Sequence, residues 1–536
     1  MIMRDINRHR FSPLQCYFND PMSRRSILGL GARLTAAFAL AGLPALGHSA
    51  ARRLTSLGAD PFTLGVASGD PTSDAVVLWT RLSREVLQNI GAQDDALEVR
   101  YELARDRDFR NIARSGAMVA APELGHSVHA DVRGLDSDQV YFYRWQIGDV
   151  TSTVGRTKTA ADAAADNQIF NFAFASCQQY EHGFYTAYRH MANEDLDLIV
   201  HLGDYIYERT WGQNLVRAHE GPEIINLNNY RARYNTYKSD PDLQAAHAAA
   251  PWAVTWDDHE VDNNYAADIA EDDQTPDQLL QRRAAAYQAF YEFMPIRLPV
   301  GRQGPNMPIH RRLRFGKLME MNILDTRQYR SDQACGDGRK PSCAEHQDSS
   351  RTLLGQAQRD WLYGGLATTD TTWNVLAQQI MMASLRSVGD NGEELWPMDI
   401  WDGYPYERQQ LLQALKSLGT PNPVVLTGDI HSNWAADLKL DFDAPGSETV
   451  GSEFVGTSIT SGGDGADMTE YGAALLANNP HVKFYNAQRG YVKATLTPSL
   501  WQSDYKVVPS VTTANAPIST RKTFVVEAGN PGVQEA

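Results

Sequence analysis

Four short segments carry residue types that bind metals, and each follows an apolar, strand-like run. Phe172–Ala175 leads into Ser176-Cys177-Gln178, and Leu196–Leu202 into Gly203-Asp204-Tyr205-Ile206-Tyr207. Trp252–Trp256 leads into Asp257-Asp258-His259-Glu260, with Asp262, Asn263 and Asn264 beyond, and Val424–Thr427 into Gly428-Asp429-Ile430-His431. Adjacent Asp257 and Asp258 repel unless a cation or hydrogen bonds hold them. Asp429 and His431, two apart in an extended segment, share one side. Asp204 and Tyr207 can turn back on one centre. Each segment also has a plain structural reading: Gly-Asp after a strand is often a turn or helix cap, and a tyrosine is normally core. A phenolate binds only a strongly acidic metal such as ferric iron. Convergence carries the weight. In an open α/β sheet, sites form beyond the carboxyl ends of strands, so four such ends meet on one rim.

The elements that must position these residues fall into two stretches. Residues 61–158 are short β-rich runs such as Ala75–Arg81, Leu97–Leu103 and Val140–Ile147, broken by Gly/Asp/Pro/Ser turns. They predict a small all-β sandwich, immunoglobulin- or fibronectin-like in outline. After a small polar linker at residues 159–168, strands alternate with helices, the pattern of an α/β domain. Strands are expected at Ile169–Ala175, Leu196–Leu202, Trp252–Trp256, Lys317–Leu324, Trp373–Met381 and Pro423–Thr427. Helices are expected at Phe184–Asn193, over most of Leu227–Ala250, at Gln278–Glu292 and at Tyr406–Leu418. The division read from this is a β-sandwich over residues 51–158, a catalytic domain over 165–508, and a surface strand or tail over 509–536.

Length and charge are consistent with that division. At 536 residues the chain exceeds what one core usually supports. Its net charge of −16 argues against nucleic acid as an obligate partner. A small phosphate ester remains a suitable substrate where bound cations reverse the local sign. Residues 1–50 form an export address. Arg24-Arg25 precede an Ala/Leu/Gly-rich run to about Leu46 and then Gly47-His48-Ser49-Ala50, as in a twin-arginine signal. The run holds Arg33 and is short for a bilayer span, so cleavage rather than a stable membrane anchor is expected. The twin-arginine export machinery is then a partner, and the periplasm or the medium the destination.

The chain has four cysteines. Cys16 lies in the expected signal region. Cys335 and Cys343 flank a loop-like Gly-Asp-Gly-Arg-Lys-Pro-Ser and are expected to pair in an oxidising compartment, their spacing fitting no common zinc pattern. Cys177 is left over, as either a buried structural thiol or a metal ligand.

Phe62-Thr-Leu-Gly-Val-Ala-Ser-Gly-Asp-Pro, Phe174-Ala-Ser-Cys-Gln, Gly203-Asp-Tyr-Ile-Tyr-Glu, Trp256-Asp-Asp-His-Glu-Val-Asp-Asn-Asn, Leu324-Asp-Thr-Arg-Gln-Tyr-Arg and Gly428-Asp-Ile-His together make the chain resemble the PhoD-type alkaline phosphatases. The resemblance spans nearly all of the chain after residue 50. It implies a calcineurin-like (metallophosphatase) αββα sandwich behind the β module, and a centre of Fe3+ with one or two Ca2+. It further implies iron ligation by Cys177 and Tyr207, with His431 on iron and Asp204 bridging to calcium. The calcium side would comprise Asp257 or Asp258 and Asn263 or Asn264, with Asp429 closing the centre. Thiolate, phenolate and imidazole suit ferric iron, and carboxylate and amide oxygens suit calcium.

The implied reaction is hydrolysis of a phosphate mono- or diester by metal-activated hydroxide attacking phosphorus in line. His259 would bind phosphate, protonate the leaving group or orient a carboxylate. Arg209 would clamp phosphate or form a surface ion pair, and Trp256 and Trp434 would wall the pocket. A phospholipase D-like phosphodiesterase fits the same motifs. A purple acid phosphatase shares Gly-Asp-x-x-Tyr but needs a Gly-Asn-His-type segment absent here, and has no counterpart of Cys177.

Overall fold

A computed structural model describes residues 51–297, 304–444 and 446–536. The export signal expected over residues 1–50, with Cys16, lies outside the described residues. Among the described residues no helix is long and apolar enough to cross a membrane.

Two sheets dominate a mixed α/β architecture. One has ten strands, centred on the parallel trio Phe170–Ala175, Leu198–His201 and Trp252–Val254. The other has seven, with Met319–Ile323, Trp373–Ala377, Pro423–Thr427 and Thr449–Val455 running parallel. Phe172, Phe174, Leu198 and Val200 face Met321, Val375, Val424 and Leu426 in a core shared by the two sheets. The intervening residues point the other way, as the two-residue period of a strand requires. Ala173, Ile199 and Trp252 pack with Tyr188, Tyr234 and Phe290 from helices. On the second sheet, Leu376 and Val425 pack with Leu362, Leu411 and Leu415. Burial on both faces explains the apolar runs of Trp252–Val254 and Pro423–Thr427.

The helices stop and start where their caps dictate. Thr275 and Gln278 form a reciprocal capping box that opens Pro276–Phe293. The stretch Leu227–Ala250 is two helices rather than one, Leu227–Lys238 and Pro241–Ala249. Asp240 accepts the backbone N–H groups of Asp242 and Leu243, and Pro241 occupies the first helical position.

The β module is not a sandwich closed on itself. Leu97–Ala104, Ile112–Ala120 and Val140–Ile147 belong to a separate five-stranded sheet, but Val66–Gly69, Ala75–Arg81 and Ser127–Arg133 continue the ten-stranded one. The join is parallel pairing of Gly69 with Trp252. A Cβ at Gly69 would lie 2.3 Å from the Pro295 carbonyl and 2.6 Å from that of Trp252, so only glycine permits the approach. The segment beyond Pro509 supplies two strands of the same sheet, Ser519–Glu527 and Asn530–Glu535, and is no loose tail. Cys335 and Cys343 form a disulfide, and Cys177 is a buried free thiol.

Candidate metal centre

The expected rim is where the strand ends meet. Cys177, Asp204, Asp429 and His431 all adopt the left-handed backbone conformation, with φ of 58°, 56°, 60° and 56°. Non-glycine residues rarely do so, and persist there only where their surroundings over-determine them. Here the loops hold each other. The Cys177 N–H donates to the Gly203 carbonyl at 3.1 Å, and Gln178 to that of Asp204 at 3.0 Å. Glu260, fully buried, accepts N–H groups from Asp204 (3.0 Å), Tyr205 (2.5 Å) and Asp257 (2.8 Å), clamping two ligand loops together. Burial lifts its carboxyl to about 8 even with those three donors pointing at it. Across the gap between sheets, Gln379 donates to the Trp256 and Leu324 carbonyls at 2.8 and 2.9 Å. Its own carbonyl accepts Gly428 N–H at 2.8 Å.

Two glycines make the convergence possible. A Cβ at Gly203 would sit 2.5 Å from the Asp257 backbone nitrogen, and one at Gly428 2.5 Å from Ser176 Oγ. Gly428→Ala is therefore expected to cost about 1–3 kcal/mol through overpacking, read as a lower denaturation midpoint at unchanged m-value. Parental stability would mean that Ser176 simply turns away.

Three overlapping sets of ligand atoms result, each within 4.8 Å: Cys177, Asp204 and His431; Asp204, Asp258 and His259; Asp257, Asp258 and Asp429. Tyr207 joins the first set, its hydroxyl donating to Asp204 Oδ2 at 2.8 Å and lying 3.3 Å from His431 Nε2. Ser461 Oγ donates to that hydroxyl at 2.7 Å. The donor set fits cations. Asp204 Oδ1, Asp257 Oδ2 and Asp258 Oδ1 are buried without a hydrogen-bond donor, an arrangement that is costly for a carboxylate unless something positive meets it. Burial, then the neighbouring Asp204, pushes the Cys177 thiol and Tyr207 phenol well above their ordinary ranges. Burial and the other aspartates do the same to the Asp204 and Asp429 carboxyls. Asp257 rises to about 6, again through burial and with Asp258 beside it. Burial, with Arg489 and His259, lowers His431 to about 3, so its imidazole is neutral and free to ligate. These groups ionise together only against strong compensating positive charge.

Some of that charge is the protein's own. Arg327, wholly buried, reaches Asp257 Oδ1 at 2.5 Å, Asp399 Oδ1 at 3.1 Å, Asp429 Oδ1 at 3.4 Å and Asp258 Oδ1 at 3.5 Å. Against the pull of burial, Arg327 and His259 hold Asp258 below the usual carboxylate range. His259 Nδ1 is 2.6 Å from Glu208 Oε2, and its ring lies 4.1 Å from that of Tyr207. Arg489 donates to the His431 carbonyl at 2.5 Å and to that of Gly463 at 2.7 Å, holding the His431 loop in place.

Of the residues singled out in the sequence, Cys177, Asp204, Tyr207, Asp257, Asp258, His259, Asp429 and His431 come together. Asn263 donates its side-chain NH2 to Glu271 Oε2 at 2.5 Å. Asn264, turned by its φ of 51°, instead donates its N–H to Asp258 Oδ2 at 2.7 Å. Arg209 is half-exposed at the edge, 3.6 Å from Glu208 Oε1. Trp256 and Trp434 wall nothing. Both are fully buried, Trp256 stacked on Tyr287 at 4.0 Å and Trp434 bonded through Nε1 to Ser432 Oγ. Trp211 lies beside the centre, its ring parallel to His431 at 6.2 Å. Sequence reading passed over Arg327, Glu208, Glu260 and Ser461. Only Arg327 (in the Leu324–Arg330 motif), Glu208 (ending the Gly203–Glu208 motif) and Glu260 (within the Trp256–Asn264 motif) carried any signal.

Comparison with known proteins identifies the family. The model of the PhoD-like phosphatase family matches residues 172–505, and that of the PhoD-like phosphatase N-terminal domain matches residues 48–161. Alkaline phosphatase D of Bacillus subtilis (strain 168) is 50% identical over 482 residues, 89% of this chain and 82% of that protein. A solved structure of PhoD is similar at a TM-score of 0.86 and 50% identity, covering 91% of this chain and 93% of its own. The chain therefore belongs to the PhoD-like phosphatase family, and is a phosphoric ester hydrolase.

Proposed function

We propose that this chain is an exported alkaline phosphatase or phosphodiesterase working at a mixed iron–calcium centre, on a calcineurin-like αββα scaffold. The observation that carries the reading is the donor set itself: a buried thiol, phenol, carboxyl and imidazole converge on one side, and hard carboxylate oxygens on the other. Cys177, Tyr207 and His431 would hold Fe3+, and Asp204 would bridge. Asp257, Asp258 and Asp429 would hold calcium, with Asn264 better placed than Asn263 to join them. When bound, the cations supply Lewis acidity that activates water and neutralises the phosphoryl oxygens.

The protein's own groups do the rest. Glu208 fixes His259 through Nδ1 and leaves Nε2 to donate a hydrogen bond to a phosphoryl or leaving-group oxygen. Arg327 holds the carboxylates in place, and half-exposed Arg209 meets the ester at the edge of the site. Trp211 narrows the approach beside His431. The Cys335–Cys343 disulfide supports destination in an oxidising compartment, and so twin-arginine export to the periplasm or medium.

Elemental analysis with a visible spectrum tests the centre. Iron with calcium and a tyrosinate-to-iron band are expected, whereas zinc alone without the band would sink the assignment. Cys177→Ser and Tyr207→Phe should each at least halve the iron content, and the second should abolish the band. Rates on a monoester, a bis-ester and phosphatidylcholine then separate phosphatase from phospholipase D-like action.

A further inference from the structure

The turn that carries Asn264 is gripped by a loop the proposed chemistry does not use. Asn264 Nδ2 donates to Asp337 Oδ2 at 3.1 Å, while the Asn264 carbonyl accepts Gln333 Nε2 at 2.8 Å. Gln333 Nε2 also donates to Asp399 Oδ1 at 2.8 Å, and Asp399 pairs with Arg327. The loop thus touches the centre at two points, the Asp258–Asn264 turn and the Arg327 carboxylate cluster.

Asp337 has an unusual setting. Cys335, Gly336, Asp337 and Gly338 are four successive residues in the left-handed region, with φ of 57°, 76°, 61° and 71°. Two of the four are not glycine, so the conformation must be imposed from outside. The Cys335–Cys343 disulfide closes the loop at one end. At the other, Met398 N–H donates to the Gly338 carbonyl at 2.9 Å, and Arg339 and Lys340 pair with Pro397 and Trp396. The result is a half-buried carboxylate whose Oδ1 has no donor and whose Oδ2 takes the Asn264 amide.

We propose that the disulfide-closed loop makes Asp337 a positioning residue for the calcium side of the centre, orienting Asn264 and through it Asp258. The inference rests on the iron–calcium reading above. A carboxylate only accepts hydrogen bonds, so Asp337 must take the NH2 of Asn264. That fixes the amide's orientation and leaves Asn264 Oδ1, a hard oxygen of the kind calcium takes, as its remaining acceptor. The same grip holds the Asn264 N–H on Asp258 Oδ2. Calcium retention then depends on a bond that survives only in an oxidising compartment, whereas Cys177 and Tyr207 bond to Gly203, Asp204 and Ser461.

The test is calcium titration of chelator-stripped, iron-reloaded full-length protein by competition with a chromophoric chelator. Asp337→Ala and the double variant Cys335→Ser/Cys343→Ser should each bind calcium roughly 10–100-fold more weakly, the range for losing an outer partner of a metal ligand. Treating the parent with a thiol reductant should reproduce the shift. Iron content and its absorption band should stay at parental levels. Asp337→Asn should stay close to the parent, since its amide oxygen still accepts Asn264 Nδ2. Calcium affinity of Asp337→Ala within twofold of the parent would overturn the inference, and so would loss of iron along with calcium, the mark of a general structural role. A parent that binds no calcium would instead overturn the iron–calcium reading, and the inference with it.

Discussion

Replacing Arg327 by Met is expected to lower kcat/KM by about three orders of magnitude, roughly 4 kcal/mol of transition-state stabilisation. Its guanidinium is wholly buried and is shared among Asp257, Asp258, Asp399 and Asp429. Breaking a buried ion pair from one side typically costs about 3–5 kcal/mol, because the abandoned charges stay buried. Asp399 keeps Arg330 as a partner, but among the described residues Asp257 has no second ion pair. The loss therefore falls on residues of the candidate centre. Arg327→Lys separates geometry from charge. One ammonium cannot replace a planar fork that spans four carboxylates, so Lys should recover no more than about tenfold of the loss. Steady-state kinetics on a phosphate monoester reads both variants. A Met variant within tenfold of the parent would mean that the guanidinium only fills space, and a Lys variant at parental rate would reduce its role to net charge.

Arg327 also shows where sequence reading stops. The strand ends were legible because apolar runs, glycines and ligand-type residues lie next to one another along the chain, and local order is what a sequence displays. Arg327 is the opposite case. It follows the Met319–Ile323 strand of the other sheet, and an arginine is not a metal-ligand type, so nothing local links it to Asp257, seventy positions away. The division of Asn263 from Asn264 is not legible in the sequence for another reason. It hangs on one backbone dihedral, and asparagine is the residue most tolerant of either answer. Trp256 misled by position: next to Asp257 along the chain, its ring packs on Tyr287 among the helical residues of the outer core. The Ser519–Glu527 strand opens on exposed polar residues and holds only the short run Phe524-Val525-Val526, so surface strand and tail read alike there, and the Gly69–Trp252 join is a long-range pairing that a glycine permits but does not announce.

The same distinction between ligands and what holds them makes Glu260→Ala the most damaging single change expected for stability. Glu260 follows the Asp257-Asp258-His259 run, and yet it faces the backbone of the two ligand loops and not the cluster. Removing it leaves the N–H groups of Asp204, Tyr205 and Asp257 buried with no acceptor. Each orphaned N–H costs about 1–3 kcal/mol, so for three the expected loss is on the order of 3–9 kcal/mol. That is a large part of the stability of an ordinary domain. Glu260→Gln should fall between parent and Ala. Its carbonyl oxygen can keep the two donors now on Oε2, but its NH2 would confront the Tyr205 N–H. Urea unfolding gives the order parent, Gln, Ala, and metal analysis of the folded fraction should show calcium and iron falling together, because the Asp204 and Asp257 loops lose their common anchor. Equal stability of the Gln and Ala variants would mean that the charge, rather than the number of acceptors, holds the loops. Full metal content in a destabilised Ala variant would mean that bound cations alone suffice to set the two loops in register.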